Sequence, residues 1–170
     1  MKMKFLALVG LLAIFAGIGA AVFFFGGFYS VAGTVEEPKI VQWVLVKVRE
    51  ASIARHAKER PPSDLNNADL VKAGARAFAT RGCANCHGAP GVEWQKFADG
   101  LNPGAADLHE IAEQREPREI FFVIKNGIKM TGMPGFGEHG VPDPEIWSMV
   151  AFIKRGEVSE ADYKAWTAPP

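Results

Sequence analysis

The chain has 170 residues, and about 135 of them follow an uncharged apolar stretch at its start, which leaves room for one small core and excludes a large multidomain enzyme. Lys+Arg 19 against Asp+Glu 19 gives zero formal net charge, so no chain-wide basic field exists to hold nucleic acid. A hydrophobic content of 48% is too high for a disordered chain, and two cysteines are too few for a disulfide-stapled miniprotein.

After Met1-Lys2-Met3-Lys4 no charge occurs from Phe5 to Val35, a run of 31 residues where about 20 span a bilayer. Residues 1–35 therefore read as a transmembrane anchor. The competing reading is a cleaved secretory signal ending at Ser30-Val31-Ala32. It requires an apolar region of roughly 7 to 15 residues, shorter than this run. Lys2 and Lys4 precede the span and Glu36-Glu37 follow it, so the positive-inside bias keeps residue 1 in the cytoplasm. The rest of the chain then lies on the periplasmic side of the inner membrane. Gly10, Gly17, Gly19, Gly26 and Gly27 interrupt the span. Small residues allow close helix-to-helix approach, as at a contact with a larger membrane complex, but without a clean GxxxG repeat they read as the ordinary glycine content of a membrane helix.

Residues 36–66 read as a connecting amphipathic helix with a proline-containing linker. From Pro38 to Arg60 the residues Ile40, Val44 and Val48, with Trp43 and Lys47, fall at helical spacing. Pro61-Pro62 stops the helix, because proline lacks the amide donor and disfavours helix in the residue before it. Trp43 and the valines suit three placements: on the membrane surface, as a stalk, or packed on the domain that follows.

Residues 67–170 form the folded domain. The pattern is helical and no period-2 run is long enough to build a sheet, so the fold class is all-α. Asn67 is an N-cap for a helix carrying Leu70, Gly74 and Phe78, with Val71 and Ala75 beside them. A second helix starts at Pro117, buries some of Ile120, Phe121, Val123 and Ile124, and stops at Gly127. A third opens on Asp143-Pro144, places Ile146, Val150 and Ile153 on one face, and ends at Gly156. Ser159 to Asp162 opens a short final turn. Gly88 to Gly104 and Gly132 to Pro144 are loops.

The chemistry sits in Cys83-Ala84-Asn85-Cys86-His87. This C-x-x-C-H run is the attachment pattern of a c-type haem. Two thiols at this spacing form thioethers to the two vinyl groups on one porphyrin edge, and the adjacent imidazole reaches the iron. Three other readings use the same residues. A structural zinc site needs four ligands and would have to recruit two of His87, His109 and His139, which lack paired spacing. A thioredoxin-like pair needs a βαβ context. A plain disulfide suits the exported location but leaves His87 unexplained.

The chain from Asn67 onward resembles a single-haem class I cytochrome c, close to the cytochrome c domain of cbb3-type oxidase subunit III. The matching pieces are Gly74, Phe78 and Cys83 to Gly88, then Ile128-Lys129-Met130-Thr131-Gly132-Met133-Pro134, then Trp147 and Phe152. The resemblance implies one haem c bound through Cys83 and Cys86, with His87 and Met133 as axial ligands. It also implies crossed first and last helices, with Gly74 and Phe78 meeting Trp147 or Val150. A methionine thioether is a soft neutral ligand that raises the reduction potential. Met130 is the second candidate ligand, with core packing as its alternative role, and Met149 has a core spacing. His56, His109 and His139 offer a bis-His haem as the alternative, but lone histidines more often read as surface or structural residues. Asn102 to Leu108 corresponds to the loop at the haem edge near the propionates, but with one proline and two alanines it names no propionate ligand. Trp94 and Lys96 read as exposed loop near that wall.

No nucleophile-base pair, paired catalytic carboxylates or phosphate loop is evident, and a His/Met haem has no open iron position. The expected function is outer-sphere electron transfer between respiratory donor and acceptor complexes, by a membrane-anchored carrier that is not itself an enzyme. Alternatives are a haem-bearing subunit of a larger oxidase or dehydrogenase, a catalytic haem with an open sixth position, and a zinc-stabilised adaptor. Residues 68–170 carry 11 Lys+Arg against 14 Asp+Glu, a mildly acidic domain without strong steering charge.

Overall fold

The computed structural model describes residues 2–62 and 64–169. Its contacts divide the chain into two units, Met1–Glu36 and Glu37–Pro170. The described residues are helical, with no strand among them and only an isolated bridge between Ala89 and Val92.

The first unit holds α1, Lys2–Phe25, a helix of 24 residues. At 1.5 Å per residue that is about 36 Å, long enough and apolar enough to cross a membrane. The helix is shorter than the uncharged run because Gly26 and Gly27 follow it, the latter at φ 77°, a conformation that ends helices.

The second unit begins with α2, Lys39–His56. Ile40, Trp43, Val44, Leu45 and Val48 are exposed, whereas Ile53 and the following Ala57 are buried. Trp43, Val44 and Val48 are therefore not packed on the domain; α2 packs against α6 (Pro117–Asn126) through its C-terminal half, where His56 stacks on Phe122. The helix ends at His56, before Pro61-Pro62, because Ala57 leaves helical geometry (ψ 88°) while its amide still bonds the Ile53 carbonyl.

The core is built by α3 (Ala68–Thr80), α6 (Pro117–Asn126) and α7 (Asp143–Arg155). Each boundary has a local cause. The Asn67 side chain accepts from the amides of Asp69 and Leu70. Glu119 accepts the Glu116 amide at 3.1 Å in front of Pro117, and Gly127 and Gly156 terminate α6 and α7 at positive φ. The remaining helices are α4 (Ala84–His87), α5 (Leu108–Gln114) and α8 (Glu160–Thr167), with a 3-10 turn at Lys96–Gly100. α8 is a full helix rather than a short turn. It docks through buried Tyr163 and through the Trp166 carbonyl, which accepts from Arg76 at 2.6 Å.

The first and last core helices cross through Gly74 and Phe78 on the α3 side, as the family resemblance implies, but it is Phe152 rather than Trp147 that faces them. Gly74 abuts the Ser148 backbone and Phe152, and the Phe78 ring packs on Phe152 at 5.3 Å. Trp147 stacks instead on Phe121 of α6, centroids 4.2 Å apart. The reason is helical phase. Ser148 and Phe152 are four residues apart and share the face toward α3, while Trp147, one residue earlier, is rotated about 100° from Ser148 toward α6.

Candidate functional site

Helix α3 ends at Thr80, Gly82 turns at φ 78°, and the chain enters α4 directly. This delivers Cys83, Cys86 and His87 together to the wall of a cavity of about 360 Å³. The two cysteines are not joined in a disulfide. Burial pushes the Cys83 thiol up to about 11.

The His87 ring is held at one nitrogen. Its Nδ1 lies 2.9 Å from the Ala106 carbonyl oxygen. A carbonyl only accepts, so Nδ1 carries the proton, and Nε2 keeps the lone pair a metal ligand needs.

Met133 reaches the same cavity from the loop after α6. The loop has internal and external ties. The Thr131 hydroxyl donates to the Ile128 carbonyl at 2.8 Å and accepts the Met133 amide at 3.1 Å, while the Ile128 amide donates to the Met133 carbonyl at 3.1 Å. Beyond it, the amides of Phe136 and Gly137 bond the last carbonyls of α6, those of Ile124 and Lys125, at 3.0 and 2.9 Å. These carbonyls would otherwise be orphans at the helix end. The approach is tight enough that a Cβ on Gly135 would lie 2.8 Å from the Asn126 backbone.

The other candidates separate cleanly. Met130 is neither in the cavity wall nor in the core; it is 88% exposed at φ 60°. Met149 is fully buried in the core. His56, His109 and His139 are exposed and absent from the cavity wall, as are Trp94 and Lys96. Phe78, Phe97, Leu101, Ile120, Ile124 and Phe136 supply much of its apolar lining.

The family model described as cytochrome c oxidase, cbb3-type, subunit III matches residues 69–153, from the first turn of α3 into the last turn of α7. The chain belongs to this family. Comparison with curated proteins and with solved structures gives no match. The cytochrome c domain that defines the family implies haem c, and the residues fit it: an imidazole with Nε2 available, a thioether and two cysteine sulfurs border one mainly apolar cavity. A zinc site does not fit, since no group of three or more His, Cys, Asp or Glu is placed to hold a metal ion among the described residues.

Three contributors to this cytochrome c site escape a reading by motif. The Ala106 carbonyl is backbone, which no residue type signals. Phe97 and Leu101 lie four residues apart, a helical spacing inside what reads as loop. Helix α2 adds Arg49 and Ile53 to the wall from outside the family's domain. Helix α5 carries one readable signal, the Asp107-x-x-Glu110 capping pattern, and the Asp107 side chain does accept the His109 amide at 2.8 Å.

Proposed function

We propose that this protein is a membrane-anchored electron carrier holding one haem c, with thioether bonds from Cys83 and Cys86 and with His87 and Met133 as axial ligands. The observation that carries the reading is the convergence of these four side chains, from α3–α4 and from the loop after α6, on one mainly apolar cavity. Bound there, haem supplies a one-electron ferric/ferrous couple. Cys83 and Cys86 fix one edge of the macrocycle. The Ala106 carbonyl orients His87 and raises its basicity as a ligand. Met133 would supply a soft neutral sulfur as the second ligand, and the apolar wall would limit water around it, both of which would favour the ferrous state.

Helix α1 anchors the chain in the inner membrane with the haem domain in the periplasm, where electrons pass between respiratory donor and acceptor complexes. The domain's mild acidity provides little long-range steering, and tethering compensates by raising local concentration near membrane partners. The family's description favours a second reading, a fixed haem subunit of a terminal oxidase complex. Copurification of the chain with oxidase activity from native membranes supports that reading, and a chain that migrates alone overturns it.

The decisive experiment is haem staining on a denaturing gel with intact mass, followed by carbon monoxide challenge of the reduced native protein. One covalent haem per chain and no rapid carbon monoxide binding are expected. Rapid binding would identify an open catalytic haem, and no covalent haem would end the cytochrome reading for this chain.

A further inference from the structure

Helix α2 precedes the matched residues 69–153, yet it forms part of the cavity wall through Arg49 and Ile53. Its C-terminal half is packed rather than loosely appended, because Ile53 and Ala57 are buried. Three arginines border the cavity: Arg49, Arg81 and Arg115. Arg81 lies two residues before Cys83 and is forked onto Glu145 of α7 at 2.8 and 3.2 Å, so it is committed to the α3–α7 contact at the cysteine end. Arg115 lies at the α5–α6 junction. Its carbonyl accepts Lys154 Nζ at 3.1 Å, and its guanidinium donates to Glu50 of α2 at 2.5 Å. Glu119, the acidic side chain in the wall, is engaged in capping α6. The wall thus holds two half-buried arginines, Arg49 from α2 and Arg115 from the α5–α6 junction, the latter paired with Glu50 of α2. Partly buried cations call for anionic partners.

We propose that Arg49 and Arg115 bind the propionate carboxylates of the haem, so that α2, an element outside the family's domain, closes the cavity over the propionate edge. The inference rests on the haem reading given above. A porphyrin of this type carries its vinyl groups on two adjacent rings and its propionates on the other two. With Cys83 and Cys86 holding the vinyl edge, the carboxylates would lie on the opposite side of the macrocycle from the cysteines, and Arg81, forked onto Glu145, is already paired. The guanidinium fork matches a carboxylate in two parallel hydrogen bonds. Glu50 positions Arg115 by bonding one of its nitrogens and leaves other donors for the ligand.

The test uses the full-length haem-loaded chain in detergent. Arg49→Gln, Arg115→Gln and the charge-preserving Arg49→Lys and Arg115→Lys are compared with wild type and with Arg118→Gln. Arg118 is an exposed arginine paired with Glu116 at 2.9 Å. The readouts are the midpoint potential by optical redox titration and amide hydrogen exchange over residues 49–57. Removing a cation near the haem favours the ferric form, shifting the ferric-to-ferrous ratio at fixed ambient potential on the order of tenfold. Each Gln variant is expected to shift this way and to exchange faster over 49–57, with Lys restoring most of the potential and Arg118→Gln leaving both readouts unchanged. Loss of attached haem confined to the Gln variants also supports the proposal. Potentials and exchange equal to wild type in the Gln variants overturn it, as does loss of haem in Gln and Lys variants alike. Absence of covalent haem in the wild type would overturn the cytochrome reading itself.

Discussion

The Ser148 carbonyl occupies the space in which a side chain at residue 74 would begin: a Cβ on Gly74 would lie 1.9 Å from that oxygen. Backbone meets backbone at the α3–α7 crossing, and α3 leads directly into the cysteines. Gly74→Ala must push the helices apart and is expected to cost about 3 kcal/mol, at the upper end of overpacking in a core. Gly100→Ala, with nothing within 4 Å of its Cβ, should stay within about 0.5 kcal/mol. Chemical denaturation of the two variants measures the contrast.

Met133 and Met130 are three residues apart and face different surroundings. Met133→Ala should open the sixth position, seen as carbon monoxide binding to the reduced protein that the wild type resists. Met130→Ala should leave the spectrum and carbon monoxide resistance unchanged. Met130→Gly relieves a left-handed residue at φ 60°, and its stability is expected to rise by at most about 1 kcal/mol.

Thr131 ties Ile128 to Met133 through one hydroxyl. Thr131→Val removes both hydrogen bonds and keeps the shape, at a cost of about 1 to 2 kcal/mol. The looser loop releases its sulfur more often, so carbon monoxide binds faster than to wild type and slower than to Met133→Ala in stopped-flow mixing. Thr131→Ser retains the hydroxyl and should behave as wild type.

The hydrogen bond from Arg115 holds the Glu50 carboxyl below its ordinary value of 4.5, outweighing the opposing effect of burial. A depressed carboxylate contributes stability that is fully present above its unfolded value and is lost as pH falls through the folded one. Both partners are partly exposed, which keeps the contribution under about 1 kcal/mol. Glu50→Gln should therefore lower the melting temperature slightly at pH 6 to 7. The gap from wild type should narrow as pH drops below 4.5, as melts from pH 3 to 7 would show.

Local signals placed α3, α6 and α7 because each boundary is written in adjacent residues: Asn67 as a cap, Pro117 and Pro144 near helix starts, Gly127 and Gly156 as stops. α5 and the 3-10 turn at Lys96–Gly100 escaped that reading, because short helices amid glycines show too few turns for a period to appear. The apolar face of α2 was read from its N-terminal half, where a helical stripe is strongest. The residues buried at its C-terminal end are Ile53 and Ala57, and His56 stacks on Phe122 of α6.

The sequence by itself determined the all-α class, the apolar span and the Cys83-Cys86-His87 run, since periodicity, length and covalent spacing are properties of neighbouring residues. It also singled out Met133, through family resemblance, as the second ligand. Only the tertiary structure decided which nitrogen of His87 is held, because its partner is the Ala106 backbone. The fold likewise settled that Gly74 meets Ser148 rather than Trp147, through the relative phase of two helices. It alone brought Arg49 of α2 to the wall that His87 borders. In each case the deciding contact joins groups distant along the chain, and residue-to-residue spacing carries no record of them.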